Sequence, residues 1–441
     1  MTPFIKKFLD RFDVHMQELL HGSAVSFVLK VVAAGAAFGL NVVLARLLGA
    51  EGSGVFYLAF TIVLVIATIG RIGMDNALVR FVAASAASED GGRILGVYKK
   101  SLFYVLPIST CLSILLFVLS PWVGEFIFHK SELIEPLGVM ALGIVPLALL
   151  TLYASALQGL KRIAASTSVL SVFVPMITCI IVILLVPDYG IYAATWGYLV
   201  AVVVTFVIGV FFWRRATSAY KNESSEFSRS ELFSSSMPLF VGGMMDMIII
   251  WSPMLILGIW ASNQDIGVYN AASKTAMLTS FVLGAVNSIS APKFAMLYAQ
   301  NDMKALALLA RNSAKIMILC ALPILLLFML IPELILSLFG DEFKQGAAVL
   351  MVLVVGQFIA VATGSVMFLL MMSGNEKLMR NNLITCACIV VILSLWLIPM
   401  YGIVGAAIAA AVTLSVQNLI ATILVWRKLH IMIVPWVRWG Q

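Results

Sequence analysis

Twelve apolar stretches, each near the length of a bilayer-crossing helix, fill most of this 441-residue chain, and its Lys and Arg residues gather in alternate gaps between them. A helix needs about 20 residues to cross a hydrocarbon layer about 30 Å thick. The predicted spans lie at 22–48, 55–79, 101–120, 134–158, 166–186, 191–213, 238–260, 267–292, 314–331, 347–373, 383–399 and 403–426. They lack the polar–apolar alternation of a barrel strand. Hydrophobic residues make up 62% of the chain, against roughly 45–50% in soluble domains. Lipid can absorb that much apolar surface and a soluble core cannot. The predicted class is an all-α, multi-pass membrane protein.

The basic residues give the orientation. With the N-terminus in the cytoplasm, only Lys130 and Lys344 fall in outer loops, and only Lys30, Arg46, Arg71 and Lys274 fall more than one residue inside a span; the rest of the 28, with Lys315 at the edge of its span, are cytoplasmic. Short loops obey this positive-inside bias, so both termini are expected on the cytoplasmic side of the inner membrane. The net charge of +7 reflects the same bias and does not point to nucleic acid. Residues 1–21 carry Phe4, Ile5, Phe8, Leu9, Phe12 and Met16 at helical spacing, which suits a helix lying in the headgroup layer. A cleavable signal peptide is not expected, because the first apolar run is too long. The five cysteines fall in or beside apolar spans with no disulfide or metal-ligand spacing, so neither a metal nor a cofactor is expected.

An internal repeat follows. Residues 54–90 align with 267–303: Gly54-Val55-Phe56 with Gly267-Val268-Tyr269, Arg80-Phe81 with Lys293-Phe294, and Glu89 with Asp302. Pro187-Asp188-Tyr189-Gly190-Ile191 aligns with Pro399-Met400-Tyr401-Gly402-Ile403. Six spans per repeat in the same sense make a parallel repeat, related by an axis along the membrane normal. The expected units are an N-lobe at 22–213, a Ser-rich cytoplasmic linker at 214–237, a C-lobe at 238–426 and a tail at 427–441. Two lobes around a seam are the usual design of an alternating-access transporter. Pro146, Pro175, Pro253 and Pro323 lie inside spans, where they permit bends. Gly35 and Gly39 form a GxxxG in span one, read as a close helix contact.

Ionisable groups within spans are costly and usually face a cavity or a partner. The roster is Lys30, Arg46, Arg71, Asp75, Asp246 and Lys274. Arg71 and Asp75 stand four apart on one helix face and can pair. Arg46 is near the outer end, where it can snorkel or face substrate. Lys30 is about 12 Å deep at about 1.5 Å per residue, which favours a cavity role. Asp246 and Lys274 differ in depth by about 8 Å on the same reckoning, so a pair is feasible. Asp246 can serve in H+ or Na+ coupling or as a fixed counter-ion.

Leu44-Ala45-Arg46-Leu47-Leu48-Gly49-Ala50-Glu51-Gly52-Ser53-Gly54-Val55-Phe56-Tyr57-Leu58-Ala59 resembles the opening signature of the polysaccharide, or O-antigen, flippases of the multidrug/oligosaccharidyl-lipid/polysaccharide exporter superfamily. Gly70-Arg71-Ile72-Gly73-Met74-Asp75-Asn76-Ala77-Leu78-Val79-Arg80-Phe81 is similar to the end of that family's second helix. Gly267-Val268-Tyr269-Asn270-Ala271-Ala272-Ser273-Lys274 is similar to its eighth-helix opening, and Tyr401-Gly402-Ile403-Val404-Gly405-Ala406-Ala407 to its twelfth. The resemblance implies a MATE-like fold of twelve helices in two six-helix lobes. It implies flipping of polyprenyl-diphosphate-linked oligosaccharide from the cytoplasmic to the outer leaflet for surface polysaccharide biosynthesis. The multidrug branch usually has an acidic residue in its first helix, which span one lacks, and the lipid II branch usually has fourteen helices.

Cations outnumber anions four to two among the charges within spans, and a diphosphate needs cationic donors. Lys30, Arg46, Arg71 and Lys274 are therefore the diphosphate candidates, and Asp246 and Asp75 the coupling or counter-ion candidates. The expected partners are membrane lipids, the lipid-linked oligosaccharide, and a glycan polymerase or glycosyltransferases. The alternatives are a cation-coupled multidrug exporter and a membrane enzyme or scaffold of a glycan-assembly complex. The scattered His15, His21, His129 and His430, and the short outer loops, argue against an enzyme.

Overall fold

The computed structural model describes residues 14–220 and 227–431, and among these there are helices and turns but no strand. The proposed interfacial segment 1–21, the linker 214–237 and the tail 427–441 fall wholly or partly outside the described residues. Seven helices are each long and apolar enough to cross a membrane, or eight if the bent pair Ser131–Ala141 and Ile144–Gly159 is one span. Most of the gap between that count and the expected twelve has a physical source. Three helices, Val14–Arg71, Phe173–Ala216 and Glu376–Leu429, each run through one non-helical glycine: Gly49 (φ 70°), Gly190 (φ 58°) and Gly402 (φ 56°). Only glycine enters this left-handed region without steric cost. The chain doubles back there. A Cβ on Gly197 would lie 2.7 Å from Ile181, and one on Gly405 would lie 2.2 Å from the Leu397 carbonyl oxygen.

Proline explains two further irregularities. Its ring clashes with the carbonyl four residues earlier. For Pro146 that carbonyl is Leu142, where the helices Ile134–Ala141 and Ile144–Gly159 meet at a bend of 47°. For Pro175 it is Ser171, inside a π-helical turn at Ser168–Val172. Pro253 and Pro323 sit within continuous helices, Arg229–Trp260 and Met303–Leu330.

The repeat is visible in backbone geometry. Left-handed residues recur at Glu89 and Asn301, at Lys161 and Gly374, and at Gly190 and Gly402. Asp90 caps the helix Gly91–Trp122 through the Arg93 amide, and Asp302 caps Met303–Leu330 through the Ala305 amide. The counterpart of Asp302 is therefore Asp90, which corrects the alignment with Glu89 by one residue. A second correction concerns span one. A Cβ on Gly35 or Gly39 would meet nothing within 4 Å, so this GxxxG is not a packing seam.

Lipid tails are as apolar as Leu, so helices in a bilayer associate through close packing and polar contacts. The packing is divided unequally along the membrane normal. One large buried cluster joins both repeats, from Leu44, Phe56 and Val63 through Leu137 and Tyr198 to Leu257, Tyr269, Phe339 and Leu350. At the other end the core is split. Met74, Leu78, Ile94 and Leu152 pack in the first repeat, with Leu232 from the start of span seven. Phe294, Leu306, Leu370 and Val425 pack separately in the second. The two lobes are thus fused at one end and parted at the other.

Candidate functional site

The fused end is the one that carries the short turns at Gly49–Ala50 and Ala261–Ser262. A Cβ on Gly54 would stand 1.8 Å from the Asn263 carbonyl oxygen, and one on Gly267 would stand 2.1 Å from the Ala50 carbonyl oxygen. The two glycines are repeat counterparts, and each lies on the other lobe's turn without room for a methyl group. Polar contacts cross beside them. Arg46 Nε donates to the Leu338 carbonyl (2.7 Å), the Ala50 amide donates to Glu342 Oε1 (2.8 Å), Lys130 Nζ donates to the Ala261 carbonyl (2.7 Å), and Asn263 Nδ2 donates to Glu132 Oε2 (3.0 Å). Deeper in the bundle, Asn270 Nδ2 donates to Asn41 Oδ1 (3.1 Å), with both residues buried.

Below this seal lies a cavity of about 580 Å³ between the lobes. Phe38, Phe56, Phe60, Leu150, Tyr198 and Phe281 supply apolar wall, while Asn41, Tyr57, Thr151, Arg71, Asp75 and Lys274 supply polar groups. A second cavity of about 270 Å³ shares Arg71 and Asp75 and adds Asn76, Asp246 and Trp251. At the parted end, the start of span seven rests on the first lobe. Arg93 Nη2 meets Glu231 Oε1 at 2.5 Å, Arg80 Nη1 donates to Ser235 Oγ at 3.4 Å, and a Cβ on Gly73 would lie 2.5 Å from the Ser236 carbonyl oxygen. Met277 and Phe281 are exposed, and a Cβ on Gly35 or Gly284 would find open space.

Four of the six predicted residues meet here. Buried Arg71 holds Asp75 through Nε (3.1 Å) and Thr68 through Nη2 (3.0 Å). The i,i+4 pair is real, yet it still leaves guanidinium N–H groups for a ligand, since Arg has five. Lys274 lies with its Nζ 4.7 Å from the centre of the Trp251 ring. Among the described residues it has no carboxylate within 4.0 Å, so the pair expected with Asp246 does not form. The ammonium instead takes the aromatic face of span seven, a favourable contact for a partly desolvated cation. Asp246 faces the second cavity, also without an ion pair among the described residues.

The other two candidates lie elsewhere. Lys30 is exposed and lines neither cavity. Its neighbours Val28, Val31 and Val32 are exposed too. Arg46 belongs to the seal. The sequence reading missed Trp251, Tyr57 and the Asn41–Asn270 bond. Tyr57 is the residue to note, because its hydroxyl is buried without a hydrogen-bond partner in the described structure. Phe56 and Phe60, one helical turn apart, both meet Tyr198 edge to face, and that spacing is the trace of the aromatic wall in the sequence.

A helical membrane protein with two repeated lobes, sealed at one end around a cation-bearing cavity, falls in the class of polytopic carriers. The chain belongs to the family described as polysaccharide biosynthesis protein, whose profile matches residues 19–298. A curated relative, the probable low-salt glycan biosynthesis flippase Agl15 of Haloferax volcanii, is 25% identical over 415 residues, covering 91% of this chain and 82% of that protein. The fold is similar to an inward-facing multidrug-resistance MATE transporter of the MOP superfamily (TM-score 0.72, 14% identity, 92% of this chain and 98% of that one). It is also similar to the lipid II flippase MurJ in an inward closed conformation (TM-score 0.71, 14% identity, 92% and 87%). At that identity the two solved structures speak for the fold alone.

Proposed function

We propose that the chain is a flippase that carries polyprenyl-diphosphate-linked oligosaccharide from the cytoplasmic to the outer leaflet. The observation that carries this reading is the split core around a cavity whose Lys274 has no carboxylate partner among the described residues. A cation in a low-dielectric site is stabilised by an anionic ligand, and a diphosphate supplies one. Arg71 offers its remaining donors from the opposite lobe, so a bound headgroup would touch both lobes at once. The sealed end is then the outer one, the parted end opens to the cytoplasm, and both termini are cytoplasmic in the inner membrane. The sugar would lie along the aromatic wall, and the prenyl tail would leave between spans one and eight. The chain acts as a carrier without catalytic residues, supplied by glycosyltransferases on one face and drained by a polymerase on the other.

Reconstitution tests the reading. Liposomes containing only this protein are expected to move a fluorescent polyprenyl-diphosphate glycan to the far leaflet, with saturation and with competition by the unlabelled lipid. Transport of cationic dyes in place of the lipid would favour a drug exporter. Sugar-chain growth without flipping would favour an enzyme.

Asp246 is proposed as the coupling group, since its carboxylate faces the second cavity and is not held by a cation. Asp246→Asn is expected to leave binding in place and to remove the dependence of flipping rate on an imposed H+ or Na+ gradient. An unchanged gradient dependence would free Asp246 of that role.

A further inference from the structure

The polar contacts at the sealed end have an internal symmetry that their residue types conceal. Lys130 and Glu342 lie in equivalent loops of the two repeats, just before the helices Ile134–Ala141 and Ala347–Ala362, and the turns at Gly49–Ala50 and Ala261–Ser262 are equivalent too. Lys130 reaches from the first lobe to the second lobe's turn, and Glu342 reaches from the second lobe to the first lobe's turn. Their charges are opposite, and so are their targets. Ala50 opens the second half of its helix just after the break at Gly49, so its amide belongs to a helix N-terminus. Ala261 is the C-cap of Arg229–Trp260, so its carbonyl belongs to a helix C-terminus. Such terminal groups lack partners within their own helix. The dipole there favours an anion at the N-terminus and a cation at the C-terminus. Each lobe thus satisfies one bare helix end of the other with the matching charge.

We infer that Lys130 and Glu342, from equivalent loops of the two repeats, form a pair of reciprocal latches that hold the outer seal shut. Both must release together when the lobes part at this end. The Gly54 and Gly267 contacts lie between these latches and share the symmetry, whereas Arg46 does not, since positions 258 and 259 in the second repeat are Gly and Ile. Lys130 is partly desolvated. Burial draws its ammonium below the ordinary lysine range, and the nearby carboxylates of Glu132 and Asp265 pull the other way. The inference rests on the transport reading for its purpose, but its geometry stands apart from any substrate.

Hydrogen–deuterium exchange of the full chain in lipid nanodiscs tests it. The readout is amide exchange in peptides spanning 46–56 and 258–268. Lys130→Met is expected to raise exchange about tenfold at the distant 46–56 turn as well as at its own target, and Glu342→Ala to do the reverse, since loss of a charged hydrogen bond at this scale shifts opening by about that factor. Lys130→Arg is expected to keep wild-type protection, which separates release from misfolding. The swap Lys130→Glu with Glu342→Lys is expected to stay unprotected, because each latch holds a backbone group and not its counterpart. Exchange that rises only at the local turn, or a swap that restores protection, would overturn the latch. Coupled release in a protein that flips no lipid would leave the latch standing and defeat the transport reading. Normal flipping with unaltered exchange in the variants would defeat the latch and leave transport standing.

Discussion

Gly267→Ala, and more strongly Gly54→Ala, is expected to prevent the fused end, proposed above as the outer one, from sealing. The added methyl would overlap a backbone carbonyl oxygen of the opposite lobe, at 2.1 and 1.8 Å. A flexible side chain could swing away from such a clash, but a carbonyl in a helical turn can move only if the lobes separate. Overpacking of this kind typically costs about 1–3 kcal/mol, so the balance between sealed and open states should move about tenfold or more. The measurement is labelling of a cysteine placed at Asn41, just under the seal, by a membrane-impermeant thiol reagent added from outside. The five native cysteines are first replaced by alanine. Gly35→Ala and Gly39→Ala serve as controls, since their methyl groups would meet open space, and both should express and label as the parent. Labelling unchanged in Gly54→Ala, at normal expression, would mean that the seal does not depend on backbone contact.

The contrast between these glycine pairs shows where a sequence is informative. Gly35 and Gly39 have the spacing of a packing motif and no neighbour. Gly54 and Gly267 have no such spacing, and it is the internal repeat that pairs them. Periodicity within one helix reports which residues share a face, but it does not report what the face meets. The class was legible because bilayer thickness imposes a length on every apolar run. Arg71 with Asp75 was legible because both lie on one helix turn. Lys274 with Trp251 was not, since the depth estimate weighed charges only and an aromatic ring competes with a carboxylate for an ammonium. The cavity place given to Lys30 failed for a related reason: depth in the membrane says nothing of whether a second helix stands beside the first. The seal contacts join residues more than 100 positions apart, and local pattern carries no trace of them beyond the repeat.

Lys274→Met is expected to cause the largest loss among the cavity variants. Its charge is the one in the main cavity without a carboxylate partner among the described residues, whereas the charge of Arg71 is largely matched by Asp75 before any ligand arrives. Removing a hydrogen bond to a charged group costs about 1.5–3 kcal/mol, or roughly 10- to 100-fold in affinity. Initial flipping rates against concentration of the polyprenyl-diphosphate glycan should therefore show half-saturation raised by that factor. Lys274→Arg should retain most of the activity, because the guanidinium keeps the charge and also stacks on an aromatic face. Trp251→Leu should give a smaller loss, since it removes the surface that positions the ammonium and leaves the charge. Lys30→Ala should change little, as Lys30 does not line the cavity. Wild-type half-saturation in Lys274→Met would place the headgroup elsewhere and leave Arg71 as the remaining candidate. A loss in Lys274→Arg equal to that in Lys274→Met would mean that the position matters through its shape and not through its charge.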